Sequence, residues 1–316
     1  MVSDIWIEKF RPSNFDEIKG QDKIINRIRN MVENKNVPHL LFSGPAGIGK
    51  TSTVLVIAKT LFGDSWRQNF LDLNASDERG IDIVRNEIKD FARTKSIGDV
   101  PFKIIHLDEC DSLTKEAQQA LRRTMENYAS STRFCLSCNF SSKIIDPIQS
   151  RCTIFRFKPL EKIDIEKIIE NIVKMEGLEV DKKAIGALYE ISGGDVRRVE
   201  NVLQSCSVIS KKIDENLIYE IVSAAKPKEI KEVLELCVGK NFVRARDVLL
   251  NVMLKHGLSG IDIIKQIQKE ILSLDVKDEK KLEMVEKCGE IEFRMVEGSD
   301  EFIQLEALLA CFCKEC

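Results

Sequence analysis

The chain has 316 residues, 43% of them hydrophobic and 31% charged, with a formal net charge of −3. That length accommodates about two or three domains, each with its own core. The composition excludes a disordered or fibrous chain, the lack of any apolar run of about 18 residues excludes a membrane-spanning helix, and the charge leaves nucleic-acid binding to a local patch.

The chain opens with "MVSDIWIEKFRP", without the basic and apolar regions of a signal peptide, so an intracellular protein is expected. Its ten cysteines are then expected as free thiols. Cys135 and Cys138 form a CxxC, but they lie in "RFCLSC", a predicted strand. Residues three apart on a strand face opposite ways and do not easily share a metal. Cys311, Cys313 and Cys316 end the chain with no histidine nearby and read as buried residues or a free tail.

From His39 to about Phe157 short apolar strands alternate with amphipathic helices. The strands are "HLLFS", "NFLDL", "FKIIHLD", "RFCLSC" and "CTIFRF". Between the first two, "TSTVLVIAKTLFG" places Val54, Ile57, Ala58 and Leu61 on one helical face and stops at Gly63. Between the third and fourth, "TKEAQQALRRTMENY" does the same with Ala117, Ala120, Leu121, Thr124, Met125 and Tyr128. This alternation predicts an α/β fold, a parallel sheet covered on both faces. After Pro159 the strand signal fades, and helical patterns follow, broken at Gly177, at Gly193-Gly194 and at "SAAKPKEIKE". Boundaries near 159 and 226 divide the chain into residues 1–159, 160–225 and 226–316.

"GPAGIGKT" (Gly44, Pro45, Ala46, Gly47, Ile48, Gly49, Lys50, Thr51) fits G-x-x-x-x-G-K-[ST] between a strand and a helix. Its glycines let the backbone wrap so that N–H groups and the helix N-terminus face phosphates. Lys50 then reaches the β- and γ-phosphates and Thr51 ligates Mg²⁺. A plain glycine-rich turn would not need both flanking elements.

"IIHLDECD" delivers Asp108 at a strand end, the arrangement in which a carboxylate holds Mg²⁺. Glu109 can orient and activate the attacking water as general base. Two acids after a strand can also cap the next helix, but beside the P-loop a hydrolytic pair is the stronger reading. Asp111 is expected to help cap the helix starting near Thr114. Asn139, closing "LSCN", either bonds a γ-phosphate or is a turn residue.

"RGIDIVRNEIKDFARTK" reads as a helix with Val84, Ile88 and Phe91 on its buried face. Arg85, Lys89 and Arg93 follow at i, i+4 and i+8 and form one basic stripe. Spacing alone favours a solvated surface balanced by Glu87 and Asp90. Arg122 and Arg123 also read as surface residues. Arg151, opening "RCTIFRF", reads in isolation as a surface residue or a carboxylate's partner.

"GPAGIGKT", "LDECD", "LSCN", "QSRC" and "GGDVRR" stand in an order and spacing that resemble AAA+ ATPases of the clamp-loader group. "WIEKFRP", "LNASDERGIDIVRNEIKDFA" and "QQALRRTME" narrow the resemblance to replication factor C small subunits. "HGLSGIDII" and "IEFRMVEG" with "IQLEALLA" resemble the archaeal form. The resemblance implies a P-loop AAA+ parallel-sheet domain, then a small helical lid domain, then a C-terminal helical collar domain. It implies ATP and Mg²⁺ as cofactors, and an ATPase stimulated by DNA and clamp. The partners it implies are a large subunit, further small subunits, the sliding clamp PCNA and primer–template DNA bound without regard to sequence. No membrane is implied; the location is cytoplasmic, or nuclear in a eukaryote.

Carried over by position, Asn139 is sensor 1, and Arg197 is sensor 2, reaching over the γ-phosphate from the lid. Ile7 and Arg11 contact the nucleotide's base and phosphate side. Arg151 is an arginine finger for the neighbouring subunit's γ-phosphate. The stripe of Arg85, Lys89 and Arg93 tracks the duplex backbone, and Arg122 and Arg123 join neighbouring subunits. One departure is Cys110, where alanine is usual; a thiol there suggests sensitivity to thiol reagents.

Other classes fit less of the sequence. A helicase needs a second RecA-like domain, and the chain after 159 reads as helical; another AAA+ motor or helicase loader is the nearest alternative. A GTPase switch usually needs N-K-x-D, which does not follow Asp108. A non-hydrolysing assembly subunit does not need Lys50, Asp108 and Glu109 together.

Overall fold

The structure is a computed structural model that describes residues 5–76, 87–222 and 225–315. The chain packs into two compact units, Met1–Lys212 and Ile213–Cys316. The first holds five strands, β1 (His39–Ser43), β2 (Phe70–Asn74), β3 (Lys103–Asp108), β4 (Thr132–Cys138) and β5 (Cys152–Arg156), in the spatial order β2-β3-β4-β1-β5. Every pairing is parallel. In β1, β3 and β4 nearly every residue is buried, which explains their unbroken apolar sequences; edge strands β2 and β5 are half exposed,.

The same ordering sets the C-terminal ends of β1, β3 and β4 side by side, with Ser43 opposite Cys138 and Leu107 opposite Leu136. Open α/β sheets bind ligands at that edge, where strand order reverses. The chain leaves β1 for the far edge, returns through β3 and β4, then crosses to β5 on the other side of β1.

The helix after the P-loop, Lys50–Phe62, departs from the one-face expectation. Leu55 and Val56 are buried along with Val54, Ile57 and Ala58, whereas Leu61 is only half-buried. It packs against β3 and β4 and also against the helix Asp22–Glu33. A helix covered on both sides carries apolar residues all round.

A polar chain crosses the middle of the sheet. His106 Nδ1 lies 2.7 Å from Asp72 Oδ1, and its Nε2 lies 3.0 Å from Ser137 Oγ. Carboxylate, imidazole and hydroxyl follow one another as in a hydrolytic triad. His106 and Ser137 are both fully buried, however, and neither lines the cleft described below. The network satisfies a buried imidazole.

Three helices follow the sheet within the first unit: Lys162–Glu176, Lys182–Ser192 and Val196–Ile209. Gly177 and Gly193, two of the expected breaks, are their left-handed C-caps, and Asp181 and Asp195 cap the next N-termini,. Some extended chain remains beyond Pro159, where the Glu179 N–H donates to Lys211 O at 2.9 Å.

The second unit contains the helices Pro227–Val238, Phe242–His256, Gly260–Ile271, Asp278–Val296 and Glu301–Glu315 around a core that includes Ile230, Leu234, Ile263, Ile267, Ile291 and Phe312. Cys311 and Cys313 sit half-buried within the last helix, not on a free tail. Among the described residues no helix is long and apolar enough to cross a membrane.

Of the basic stripe, Arg85 and the apolar Val84 lie outside the described residues. Lys89 and Arg93 bound a short helix, Lys89–Arg93, with Ile88 buried just before it. Lys103 anchors this helix from β3: its ammonium is 3.8 Å from the Phe91 ring centroid and donates to Thr94 Oγ1. Burial pushes the Lys103 pKa down.

Candidate active site

One open cleft lies at the C-terminal edge of the sheet, where open α/β sheets place their ligands. Its walls bring together Ile7, Arg11, Ala46, Gly47, Ile48, Gly49, Lys50, Thr51, Asp108, Glu109, Asn139 and Arg197. These come from five separate stretches of sequence. Gly44 and Pro45 stand behind the wall, where their carbonyls accept from Lys50 Nζ at 2.6 Å each.

Lys50 is 8% exposed. Burial lowers its pKa and Asp108 pulls it back up. Its Nζ also lies 3.2 Å from Asn139 Oδ1, so the lysine and the asparagine from β4 converge on one point. Thr51 Oγ1 donates to Asp108 Oδ2 at 2.7 Å. A hydroxyl and a carboxylate this close offer only oxygen ligands, the donor set suited to a hard divalent cation. Among the described residues no group of three or more His, Cys, Asp and Glu could hold a metal. Any cation here must therefore complete its shell with substrate oxygens and water.

Glu109 leaves the strand line through a left-handed backbone (φ 51°, ψ 36°) and faces the cleft. Asp111 does not do what local capping rules suggest. Thr114 is the cap, accepting from Ala117 N at 3.2 Å. Asp111 instead accepts from the backbone N–H groups of Asn139 (3.4 Å) and Phe140 (3.2 Å). It thus ties the turn after Asp108 to the asparagine's loop.

Cys110 is 1% exposed. Its thiol is pushed well up, first by its hydrogen bond with Cys138 and then by burial. A thiol this buried and this hard to ionise is shielded from reagents, contrary to the sensitivity suggested by its sequence position.

The helix Val196–Ile209 meets the P-loop at Gly47, where Val196 N donates to Gly47 O at 2.9 Å. Gly47 has φ +67°, and a Cβ there would lie 1.6 Å from Asp195 Oδ1. Gly47→Ala is therefore expected to displace the Asp195 carboxylate that caps the helix Val196–Ile209, and so to disturb the seating of that helix and of Arg197 on the P-loop. The cost is about 1–3 kcal/mol of stability from strain and overpacking. Thermal unfolding read together with nucleotide binding checks this; unchanged behaviour in both would refute it.

Arg151 does not line the cleft of its own chain. Its guanidinium meets Glu126 Oε1 at 2.5 Å and Pro147 O at 2.7 Å. Glu126 also takes Arg122 at 2.9 Å. Sequence reading missed two participants, Glu126 and Glu200, the latter a buried carboxyl on the cleft wall, and misassigned the role of Asp111. Only long-range contacts reveal them.

Comparison with known proteins agrees with this geometry. Residues 40–160 match the ATPase family associated with various cellular activities (AAA), and residues 225–311 match the replication factor C C-terminal domain. The replication factor C small subunit of Archaeoglobus fulgidus is 51% identical over 307 residues, covering 97% of this chain and 96% of that protein. That of Methanococcus vannielii is 53% identical over 305 residues, covering 96% and 97%. Among solved structures, the Thermotoga maritima RuvB Holliday junction branch migration motor aligns with a TM-score of 0.56 and 18% identity, covering 72% of this chain and 79% of that one. That likeness concerns the fold alone. The identities, nearly end to end on both sides, mean that the chain belongs to the replication factor C small subunits, clamp-loader components built on an AAA ATPase domain.

Proposed function

We propose that the chain binds ATP with Mg²⁺ in this cleft and hydrolyses it to open the sliding clamp PCNA and place it on primer–template DNA. The observation that carries this reading is the linked set Lys50–Asn139 and Thr51–Asp108 at one end of a single cleft, with Arg151 held outside it. In this reading the P-loop N–H groups and Lys50 take the β- and γ-phosphates, and Thr51 and Asp108 hold Mg²⁺. When bound, Mg²⁺ neutralises charge developing on the transferred phosphoryl group. Glu109 orients the attacking water, Asn139 and Arg197 meet the γ-phosphate, and Ile7 and Arg11 flank the nucleoside side.

Residues 1–159 serve as the ATPase domain, 160–225 as the lid and 226–316 as the collar. Leu254, Leu272, Leu282 and Phe293 are 64–77% exposed on the second unit, which supports burial against other subunits. Those partners are the replication factor C large subunit and further small subunits, in an archaeal-type cytoplasmic complex. Assembling the purified chain with its large subunit and measuring ATPase activity tests the reading. Stimulation by primed DNA plus PCNA is expected; strand unwinding without a clamp would overturn it.

The DNA contact rests on Arg85, Lys89 and Arg93. Arg93 is exposed and loosely held, 3.3 Å from Tyr128 Oη and 3.9 Å from Asp90, so a phosphate can compete for it. Replacing Lys89 and Arg93 with alanine should weaken DNA binding by every sequence alike. It should also reduce the log–log salt slope by about 2 per subunit that contributes both contacts. ATP binding should not change. An unaltered salt slope and full DNA stimulation would count against the stripe.

A further inference from the structure

Glu200 faces the cleft without a role in phosphate chemistry. It lies on the lid helix Val196–Ile209, one turn beyond Arg197 and on the same side,. It is 5% exposed and lines the cleft beside Ile7, Ile18, Leu160 and Ile168. Among the described residues its carboxyl takes no hydrogen bond and forms no ion pair within salt-bridge distance. Burial disfavours the ionised form of this carboxyl, while Arg197 and Arg11 favour it,.

Its position along the lid helix indicates what it faces. The helix touches the P-loop at Val196 and the N-terminal helix at Gln204, whose Oε1 accepts from Trp6 N at 3.1 Å. Glu200 lies midway between them. A nucleotide with its phosphates at Lys50 puts its nucleoside there, between apolar walls suited to a flat base.

We infer that Glu200 reads the base, accepting a hydrogen bond from the 6-amino group of adenine and rejecting the 6-oxo group of guanine. This deepens the ATP reading above and rests on it. An ionised carboxylate has acceptors only, so it attracts an amino group and repels a carbonyl. A protonated carboxyl can donate to that carbonyl and tolerates both. Selectivity should therefore grow as Glu200 ionises.

Burial pushes the Glu200 pKa up to about 7, against the pull of Arg197 and Arg11 and with Asp195 and Glu8 adding to the rise. Lys19, Lys50, Asp108 and Glu109 are the other charged groups on the cleft wall. Between the ordinary value of 4.5 and about 7, the folded chain keeps a proton that the unfolded chain has lost. This group therefore makes the fold less stable as pH rises through that window.

Calorimetric titration of the full-length chain with ATP, GTP and 2′-deoxyATP at about pH 6 and about pH 8 tests the inference. The wild type should prefer ATP over GTP by about tenfold or more at the higher pH, and by less at the lower. Glu200→Leu should lose that pH-dependent preference and, without nucleotide, melt at a higher temperature. Glu200→Gln, nearly isosteric, should keep the fold and show a reduced preference that does not vary with pH. A pH-dependent preference that persists in Glu200→Leu or Glu200→Gln would overturn the inference. So would a wild-type preference for GTP, or an effect of Glu200→Leu confined to discrimination against 2′-deoxyATP, which would assign Glu200 to the ribose. A wild type that binds no ATP would instead refute the nucleotide reading on which the inference rests.

Discussion

An Arg151→Ala subunit is expected to bind ATP normally and to cripple hydrolysis in the site beside it. Arginine fingers contribute about 10³–10⁵ in rate, or about 4–7 kcal/mol of barrier. Arg151 sits just after the short helix Asp146–Gln149 and points to Glu126, not to its own Lys50 and Asp108. The ion pair that holds it is 37% exposed on both sides, so it is worth at most about 1 kcal/mol. That is small beside what a neighbour's γ-phosphate offers, so Glu126 can orient the guanidinium and still release it. The pairing expected of an isolated arginine and the finger role are therefore compatible. Mixed assemblies in which only one subunit carries Arg151→Ala separate the sites. Single-turnover hydrolysis should fail at the unmutated neighbour's site, while the stability of the mutant chain changes by less than about 1 kcal/mol. A defect confined to the mutant's own site would refute the trans assignment.

The sheet and the P-loop were legible because local sequence decides them. Three central strands buried on both faces need unbroken apolar runs, and the phosphate loop needs its glycines in fixed places. What escaped was set by contacts distant in sequence. Asp111 stands where a helix cap is common, yet Thr114 takes that job and Asp111 reaches the backbone of Asn139 and Phe140. The helix Lys50–Phe62 has an amphipathic pattern, but the helix Asp22–Glu33 covers its other side. Glu200, three residues after Arg197, looks in sequence like an ordinary surface glutamate. It is buried because its helix, Val196–Ile209, docks on Gly47 and the N-terminal helix packs against the same helix. No spacing rule contains those three elements at once.

Glu109→Gln should abolish most hydrolysis and spare nucleotide binding. Removing a general base costs about 10²–10⁴ in rate, whereas Lys50, Thr51 and Asp108 keep their bonds. The backbone argues that the glutamate is there for its side chain. Glu109 has a left-handed conformation (φ 51°), which costs a non-glycine residue about 1–2 kcal/mol. Its N–H donates to Asp108 Oδ1 at 3.0 Å, and its carbonyl accepts from Ser112 N at 2.9 Å. Any residue but proline could supply those two backbone groups, and glycine could do so without the strain. Glu109→Gly should therefore stabilise the fold by up to about 1 kcal/mol while losing hydrolysis as Glu109→Gln does. Thermal melting and single-turnover hydrolysis, measured on the same pair of variants, then move in opposite directions for Glu109→Gly. If Glu109 merely formed the turn, the glycine variant would be both more stable and fully active. Full activity in either variant would remove Glu109 from the catalytic role. A strained residue kept where glycine would relax the chain is better explained by what its carboxylate does to water in the cleft.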